Sequence, residues 1–501
     1  MEKVALIQLD GKCTKLQIIN TQDNVFYQAI DEISEPSKLA KDIAEKELVA
    51  PTTIKALIRT LGLFRSLCDQ FKIIKVFAVV TDIIKGARNH KGVLEEIHNN
   101  TSFSFQIYSE EEEIKMWHSC VKNCLDISKG TIATIFDNKI YLTTFNKKTI
   151  IDSQVLNFGP KSVSYEFLSV PDNKERAELM LNFSKQNLQD VKVPIECEGN
   201  FVLAGEYSVS FGKLAKRILR YPLDIDNNYV ISNEQSKQIF EVVKDLDLDR
   251  TKKLKGISEE SADTIASTSA IIMALAEHCN VDKLTITNGT FLDGVIHASV
   301  LTDFGEKQTS DILGTSLESV STFCGLDKEN INQVYFLAVM LFKKLRVIHK
   351  LSREYYKPLR VGSQLYNSGT RISFKNYEKQ SFNVILNCGL KGITHKDLLL
   401  GAFSALCQNV DNFELADWMK YKEIVDDEDL VAVRKLGVII SIAASLDCSK
   451  SSSIQDLDCD ILGDSIIIKT ISQKNVDFDI VQASKNALAF KKVFKKNLQI
   501  I

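Results

Sequence analysis

Glycine, proline and closely spaced cysteines are what this chain has little of. Glycine supplies 22 of 501 residues and proline 7, which puts glycine near 4% where an average chain carries about 7%. Loops that wrap a phosphate need glycine, because the backbone must turn tightly and bring several N–H groups to the oxygens. Eleven cysteines are present, yet no pair has C-x-x-C spacing and only Cys120 and Cys124 lie close together. That pattern points to reduced, packed thiols and away from a disulfide framework or a zinc site. The longest apolar stretch, Leu436 to Leu446, falls short of the roughly 20 residues a bilayer span needs. No sign of charge dominates either: Lys+Arg 62 against Asp+Glu 65 leaves a net −3, so any polyanion site must be a local patch. The seven histidines form no ligand cluster, and no aromatic RNA-binding motif is present, so neither nucleic acid nor membrane is expected as a partner.

What is there is an ordinary globular balance, 45% apolar and 25% charged, over a length that calls for several cores. Val4 to Leu9 opens the chain as a strand and not as a signal peptide, and a cytoplasmic location is expected. Leu16 to Ile19, Val76 to Thr81, Phe105 to Tyr108, Thr131 to Phe136, Ile140 to Thr144 and Val202 to Ala204 also read as strands. Ala56 to Phe71, Lys91 to Asn99 and Glu111 to Cys124 read as helices, which makes the first half α/β. Beyond about residue 310 the pattern turns helical: Asn330 to Ser352, Thr394 to Gln408, Leu430 to Leu446. Ile461 to Ser472 is strand-rich, and Val481 to Ile501 reads as a closing amphipathic helix.

One segment carries a family signature. Gly256-Ile-Ser-Glu-Glu-Ser261-Ala-Asp263-Thr-Ile, an apolar helix, and then Phe291-Leu292-Asp293-Gly294-Val295 resemble the exopolyphosphatase / guanosine-pentaphosphate phosphohydrolase (Ppx/GppA) family. Two arginines of the family pattern are replaced, by Ser261 and Leu292. The resemblance implies a fold of α/β class: two actin-like (ribonuclease-H-like, ASKHA) domains at 1–126 and 127–308. An all-helical HD-like domain at 309–450 and a small α+β C-terminal domain at 451–501 would follow. It also implies hydrolysis of phosphoanhydrides, with Mg2+ if the protein is active.

Phosphoryl transfer is driven by positioned water, N–H donors, cations and a metal, and each part can be sought in this chain. The family's first hairpin, Asp-x-Gly-Ser-Asn-Ser-x-Arg, becomes Gln8-Leu-Asp10-Gly11-Lys-Cys-Thr-Lys15. Gly11 still permits a turn and Lys15 a phosphate contact. The second element reads Thr81-Asp-Ile-Ile-Lys85-Gly-Ala-Arg88-Asn89, so Lys85 keeps charge without the planar fork of arginine, and Asn89 is retained. Ser109-Glu-Glu-Glu-Glu113 keeps a carboxylate at the family's general-base position, Glu113, although four glutamates opening a helix also suit a solvated first turn. The glycine-rich loop of the second domain is lost: Thr134-Ile-Phe136-Asp137-Asn138-Lys-Ile-Tyr141 reads as a hairpin turn whose Phe136 would intrude on phosphate. The last loop, Ala204-Gly-Glu206-Tyr-Ser208, carries a glutamate that would repel a polyanion.

In the helical half the His-Asp dyad of HD-type hydrolases is replaced by Tyr366 and Asn367, so no metal site is expected. Lys213, Lys216, Arg217 and Arg220 fall at i, i+3, i+4 and i+7, which would place four cations on one helical face for polyphosphate or nucleotide. The expectation is therefore a family homologue with eroded phosphate loops and metal sites. It would be a weakly active or non-catalytic binder of polyphosphate, of guanosine tetra- or pentaphosphate, or of an active paralogue, and a homodimer. The alternatives are an active exopolyphosphatase with Glu113 as general base, rescued by Asp10 or Asp137, and an oligomeric scaffold.

Overall fold

Two β-hairpins of similar design open the two larger sheets of the computed structural model, which describes residues 2–22, 26–146, 149–192, 200–253, 259–301 and 311–501. The first sheet holds β1 (Glu2–Leu9), β2 (Cys13–Gln22), β3 (Phe26–Pro36), β4 (Lys75–Val80) and β5 (Phe105–Ile107), in the order β3-β2-β1-β4-β5. The second holds β6 (Lys129–Ile135), β7 (Ile140–Asn146), β8 (Thr149–Leu156), β9 (Phe201–Ala204), β10 (Tyr229–Ser232) and β11 (Lys283–Ile286), ordered β10-β11-β9-β6-β7-β8. In each, an antiparallel triplet is followed by strands parallel to the first: β1 pairs β4 and β6 pairs β9. The duplication sets the turns after β1 and β6, and the segments after β4, β5 and β9, at the carboxyl ends of parallel strands, where open α/β sheets bind ligands.

Strand β1 is buried on both faces from Val4 onward, as a run that is apolar except at Gln8 suits a central strand. The helix Pro51–Gln70 starts with proline at its first turn and buries Ile54, Leu57, Leu61, Phe64 and Cys68 along one stripe. The apolar helix of the family signature, Ile265–His278, is buried nearly all round, and Leu292 is 4% exposed in the core shared by the two sheets. A Cβ on Gly294 would overlap the carbonyl of Met116, so this glycine lets two helices touch. Gly256 lies outside the described residues.

The chain divides into two compact units, one of residues 1–215 and 230–310 and one of 216–229 and 311–501. Both large sheets share the first unit. The inserted segment 216–229 sits inside the stretch expected as a single domain at 127–308, yet it packs in the second unit. Tyr221 Oη bonds His395 Nδ1 at 2.8 Å, while His395 Nε2 faces the Asn227 carbonyl at 2.8 Å. Helices Lys328–Lys344, Tyr356–Gln364, His395–Leu406 and Asp427–Ser445 are among those that build that unit. A sheet of β12 (Ile454–Leu462), β13 (Ser465–Ser472) and β14 (Asn497–Ile500) is packed on them.

The closing amphipathic helix is corrected. Two short helices, Asp477–Ser484 and Ala487–Phe494, stop at Lys495, whose φ of 58° ends the second. The chain then pairs as β14 parallel to β13. Phe490 and Phe494 are buried against their own unit. No helix among the described residues is long and apolar enough to cross a membrane.

Candidate functional site

The turn after β1 is closed by its own aspartate. Asp10 Oδ1 accepts the N–H groups of Lys12 and Cys13, both at 2.8 Å, and Gln8 Nε2 donates to Oδ2 at 3.3 Å. These amides, which a phosphate loop must offer to its ligand, are spent within the turn. Gly11 is retained for packing: a Cβ there would come within 2.7 Å of Ile83 Cδ1 and 2.9 Å of Ala40 Cβ. Lys15 stands on β2 opposite Gln8 and is half-buried.

After β4 a short 3-10 helix, Asp82–Gly86, carries Lys85, whose ammonium lies 2.5 Å from Asp82 Oδ1. That hydrogen bond to Asp82 holds the ammonium above its ordinary range, and Glu112 and Glu113 add to it. Asn89 serves the backbone. Its side chain bonds both the N–H and the carbonyl of Val49 at 2.9 Å, so it fixes a loop and offers nothing to a ligand.

Glu113 is placed by the helix Glu110–Cys124, which Ser109 and Glu112 start as a reciprocal cap. Three of the four glutamates lie on the outside of the first turn, whereas Glu113 is 3% exposed. Its Oε1 accepts from the Asp82 N–H at 2.7 Å and its Oε2 from Tyr141 Oη at 3.0 Å. Burial pushes the carboxyl above its ordinary value, against the opposing pull of the Asp82 N–H, Lys139 and Tyr141. The ring of Phe136 packs edge-on to both Trp117 and Tyr141, at 6.0 and 4.9 Å between centroids. Phe136 is thus built into the wall beside Glu113.

The expected hairpin turn after β6 is present, with the Phe136 N–H bonded to the Lys139 carbonyl at 2.9 Å. It is wedged over Gly159, where a Cβ would overlap the carbonyls of Phe136 and Asp137. Its two charges reach the first lobe in opposite senses. Asp137 Oδ1 lies 2.5 Å from Lys12 Nζ, and Lys139 Nζ lies 3.0 Å from Glu110 Oε1. Lys12 Nζ also meets Glu206 Oε2 at 3.5 Å and Tyr207 Oη at 3.2 Å, and Tyr207 Oη donates to Asp137 Oδ1 at 2.9 Å. Burial alone would lower the Lys12 ammonium; Tyr207, Asp137 and Glu206 outweigh it and hold the group above its ordinary range. Sequence reasoning found Asp137 and Glu206 but missed Lys12 and Tyr207. The signal available was the duplication itself, which sets a lysine in one turn against an aspartate in its counterpart.

The four-cation helical face does not form. The helix Glu206–Ile218 ends before Arg220, which takes a φ of 51°. Lys213 and Arg217 are exposed, but Lys216 is 5% exposed and its ammonium lies 3.0 Å from Asp224 and 2.6 Å from Asp226. Two aspartates that follow the helix neutralise what the spacing alone presents as surface charge.

A divalent cation does not fit the acidic groups at the carboxyl ends. Asp10 is saturated by amides and Asp137 by an ammonium, and among the described residues no group of three or more His, Cys, Asp or Glu side chains is arranged to hold a metal ion. In the helical unit, Tyr366 and Asn367 lie between the helix Tyr356–Gln364 and the short 3-10 helix Ser368–Arg371. Tyr366 Oη donates to Asn330 Oδ1 at 2.9 Å, and its carbonyl accepts from Ser381 Oγ and Gln408 Nε2 at 2.9 and 3.0 Å. That node ties helices together.

The chain is similar over 172 residues, at 30% identity, to the guanosine-5'-triphosphate,3'-diphosphate pyrophosphatase of Aeromonas salmonicida, covering 34% of this chain and 33% of that protein. A protein of the same description from Pseudoalteromonas translucida is 23% identical over 145 residues, 29% of this chain and 28% of its own. The chain thus spans about a third of the length of the curated relatives it matches. Among solved structures, the Ppx/GppA family member of Aquifex aeolicus superposes with a TM-score of 0.55 at 20% identity, over 60% of this chain and 98% of that one. An exopolyphosphatase of Cytophaga hutchinsonii gives 0.53 at 14% identity, over 60% and 98%. These likenesses establish a shared fold. The Ppx/GppA phosphatase family profile matches residues 18–303, more than half of the chain, which therefore belongs to that family.

Proposed function

We propose that this chain is a non-hydrolytic member of the Ppx/GppA phosphatase family that acts by binding, with polyphosphate or a guanosine tetra- or pentaphosphate as ligand, or an active paralogue as partner. In this reading the two large sheets are the family's actin-like domains, the helical part is a metal-free HD-like domain, and residues 451–501 are an α+β appendage. One observation carries the proposal: both oxygens of Glu113 are spent on the Asp82 N–H and the Tyr141 hydroxyl in a buried wall. A general base must hold the attacking water on one of those oxygens.

A second reading retains hydrolysis with Glu113 as base, and the upward shift of its carboxyl by burial favours it. Phosphate release from long-chain polyphosphate and from guanosine pentaphosphate, with Mg2+, separates the two. Wild type and Glu113→Gln are compared beside an active family enzyme. Both are expected at the blank rate. Release by the wild type that falls about 100-fold or more in Glu113→Gln, the usual size of a lost general base, overturns the binding-only reading.

A further inference from the structure

We propose that Lys12, Asp137, Glu206 and Tyr207 form an autoinhibitory clasp, in which the protein's own carboxylates occupy the cation that an incoming anion would need and thereby hold the two lobes of the first unit shut. This rests on the binding reading above and concerns the regulation of that same binding site.

The geometry has three parts. Lys12 is presented by a rigid turn: its N–H bonds Asp10 at 2.8 Å and its carbonyl accepts from the Ser37 N–H at 2.6 Å. Asp137 is aimed by Tyr207, which shares Oδ1 with Lys12, while Lys161 approaches Oδ2 at 3.6 Å. The contact is also one of a pair: Lys139 of the same turn reaches back to Glu110 at 3.0 Å. One turn of the second lobe is therefore gripped by both signs of charge from the first. Two carboxylates on one ammonium offer that lysine the negative oxygens a phosphate would bring.

Exposure makes the clasp releasable. The Lys12 side chain is 41% exposed, Asp137 22% and Glu206 71%. Contacts that water reaches, the Lys12–Glu206 pair above all, are screened by salt and contribute little to folding. They compete with a ligand more than they fasten the fold, unlike the buried contact of Glu113 with Tyr141.

The test is isothermal titration of tripolyphosphate at low salt into wild type, Asp137→Asn/Glu206→Gln, and the same double variant carrying Lys12→Met. The double variant is expected to bind roughly tenfold more tightly than wild type or better, since two like charges beside the site are gone, and Lys12→Met is expected to abolish the gain. An unchanged affinity in the double variant, or a gain that survives Lys12→Met, overturns the clasp. Should the double variant fail to fold, Glu206→Gln alone replaces an exposed side chain, and it must still raise affinity about threefold; the absence of that gain overturns the clasp as well. Phosphate release is read in the same samples. Turnover by the wild type refutes the binding-only function whatever the affinities, and a flat affinity series refutes the clasp whatever the turnover.

Discussion

Removing the Tyr141 hydroxyl tests the wall around Glu113. In Tyr141→Phe the ring keeps its contact with Phe136 and only the 3.0 Å hydrogen bond to Glu113 Oε2 is lost. Tyr141 is 1% exposed and Glu113 3%, so water does not replace the donor. A buried hydrogen bond to a charged group contributes about 1.5–3 kcal/mol, and a loss of about 2 kcal/mol is expected at pH 8. The carboxylate itself is a burden. Because burial raises the folded pKa of Glu113 above the unfolded one, its contribution is fullest below the unfolded value and is lost as pH rises through the folded one. Glu113→Gln is therefore expected to be more stable than wild type at pH 8 and to converge with it near pH 4. In the Gln background the hydroxyl meets a neutral partner, and Tyr141→Phe should cost only about 1 kcal/mol. Urea unfolding of wild type, both single variants and the double variant at pH 8 yields the coupling directly, expected near 1 kcal/mol. Zero coupling, or a Glu113→Gln variant less stable than wild type by more than about 1 kcal/mol at pH 8, would refute the account of a buried, internally spent carboxylate.

Two further outcomes follow from packing and burial. His118 is buried against Phe145, with Nε2 lacking a hydrogen-bond partner among the described residues, and burial together with Lys122 lowers it to about 4. Unfolded His118 binds a proton near 6.5 while the folded form resists until about 4, so stability is full above the first value and falls as pH drops toward the second. Between pH 7 and 5 wild type should lose about 2 kcal/mol more than His118→Met in urea unfolding, and parallel pH profiles would contradict this. Gly159→Ala should destabilise by about 1–3 kcal/mol through overlap with the turn after β6. Gly62→Ala, in open space on the helix Pro51–Gln70, should stabilise by about 0.5–1 kcal/mol; thermal melts of the pair check both signs.

The α/β class was legible because its signals are local. Val4 to Leu9 is apolar but for Gln8, Asp137-Asn138 lies between two β-branched runs, and the Ser109 cap with its four glutamates announces a helix. The candidate site was partly legible for the opposite reason. Missing glycines and carboxylates can be read by comparison, but what replaced them depends on partners distant in sequence. Nothing near Lys12 in the chain forecasts Asp137 or Tyr207. Lys216 shows the same limit: helical spacing places it on a cationic face, and only the return of the chain through Asp224 and Asp226 buries it. At the C-terminus, Phe490, Phe494 and Leu498 fit a helical stripe, yet the left-handed Lys495 breaks it and the last residues find a strand to pair with.

The inserted segment 216–229 separates chain order from spatial order. A fragment cut near position 310 would contain Tyr221 and Lys216 but not the helix that begins at His395, leaving an aromatic ring and three charges without the surroundings they fold into. Loss of function in such a fragment would say nothing about where function resides, because the cut removes most of the second unit and leaves its segment 216–229 stranded within the first. Deletion mapping of this protein is therefore blind to the boundary it would be used to find, and single substitutions at His395 or Asp226 are the sharper instrument.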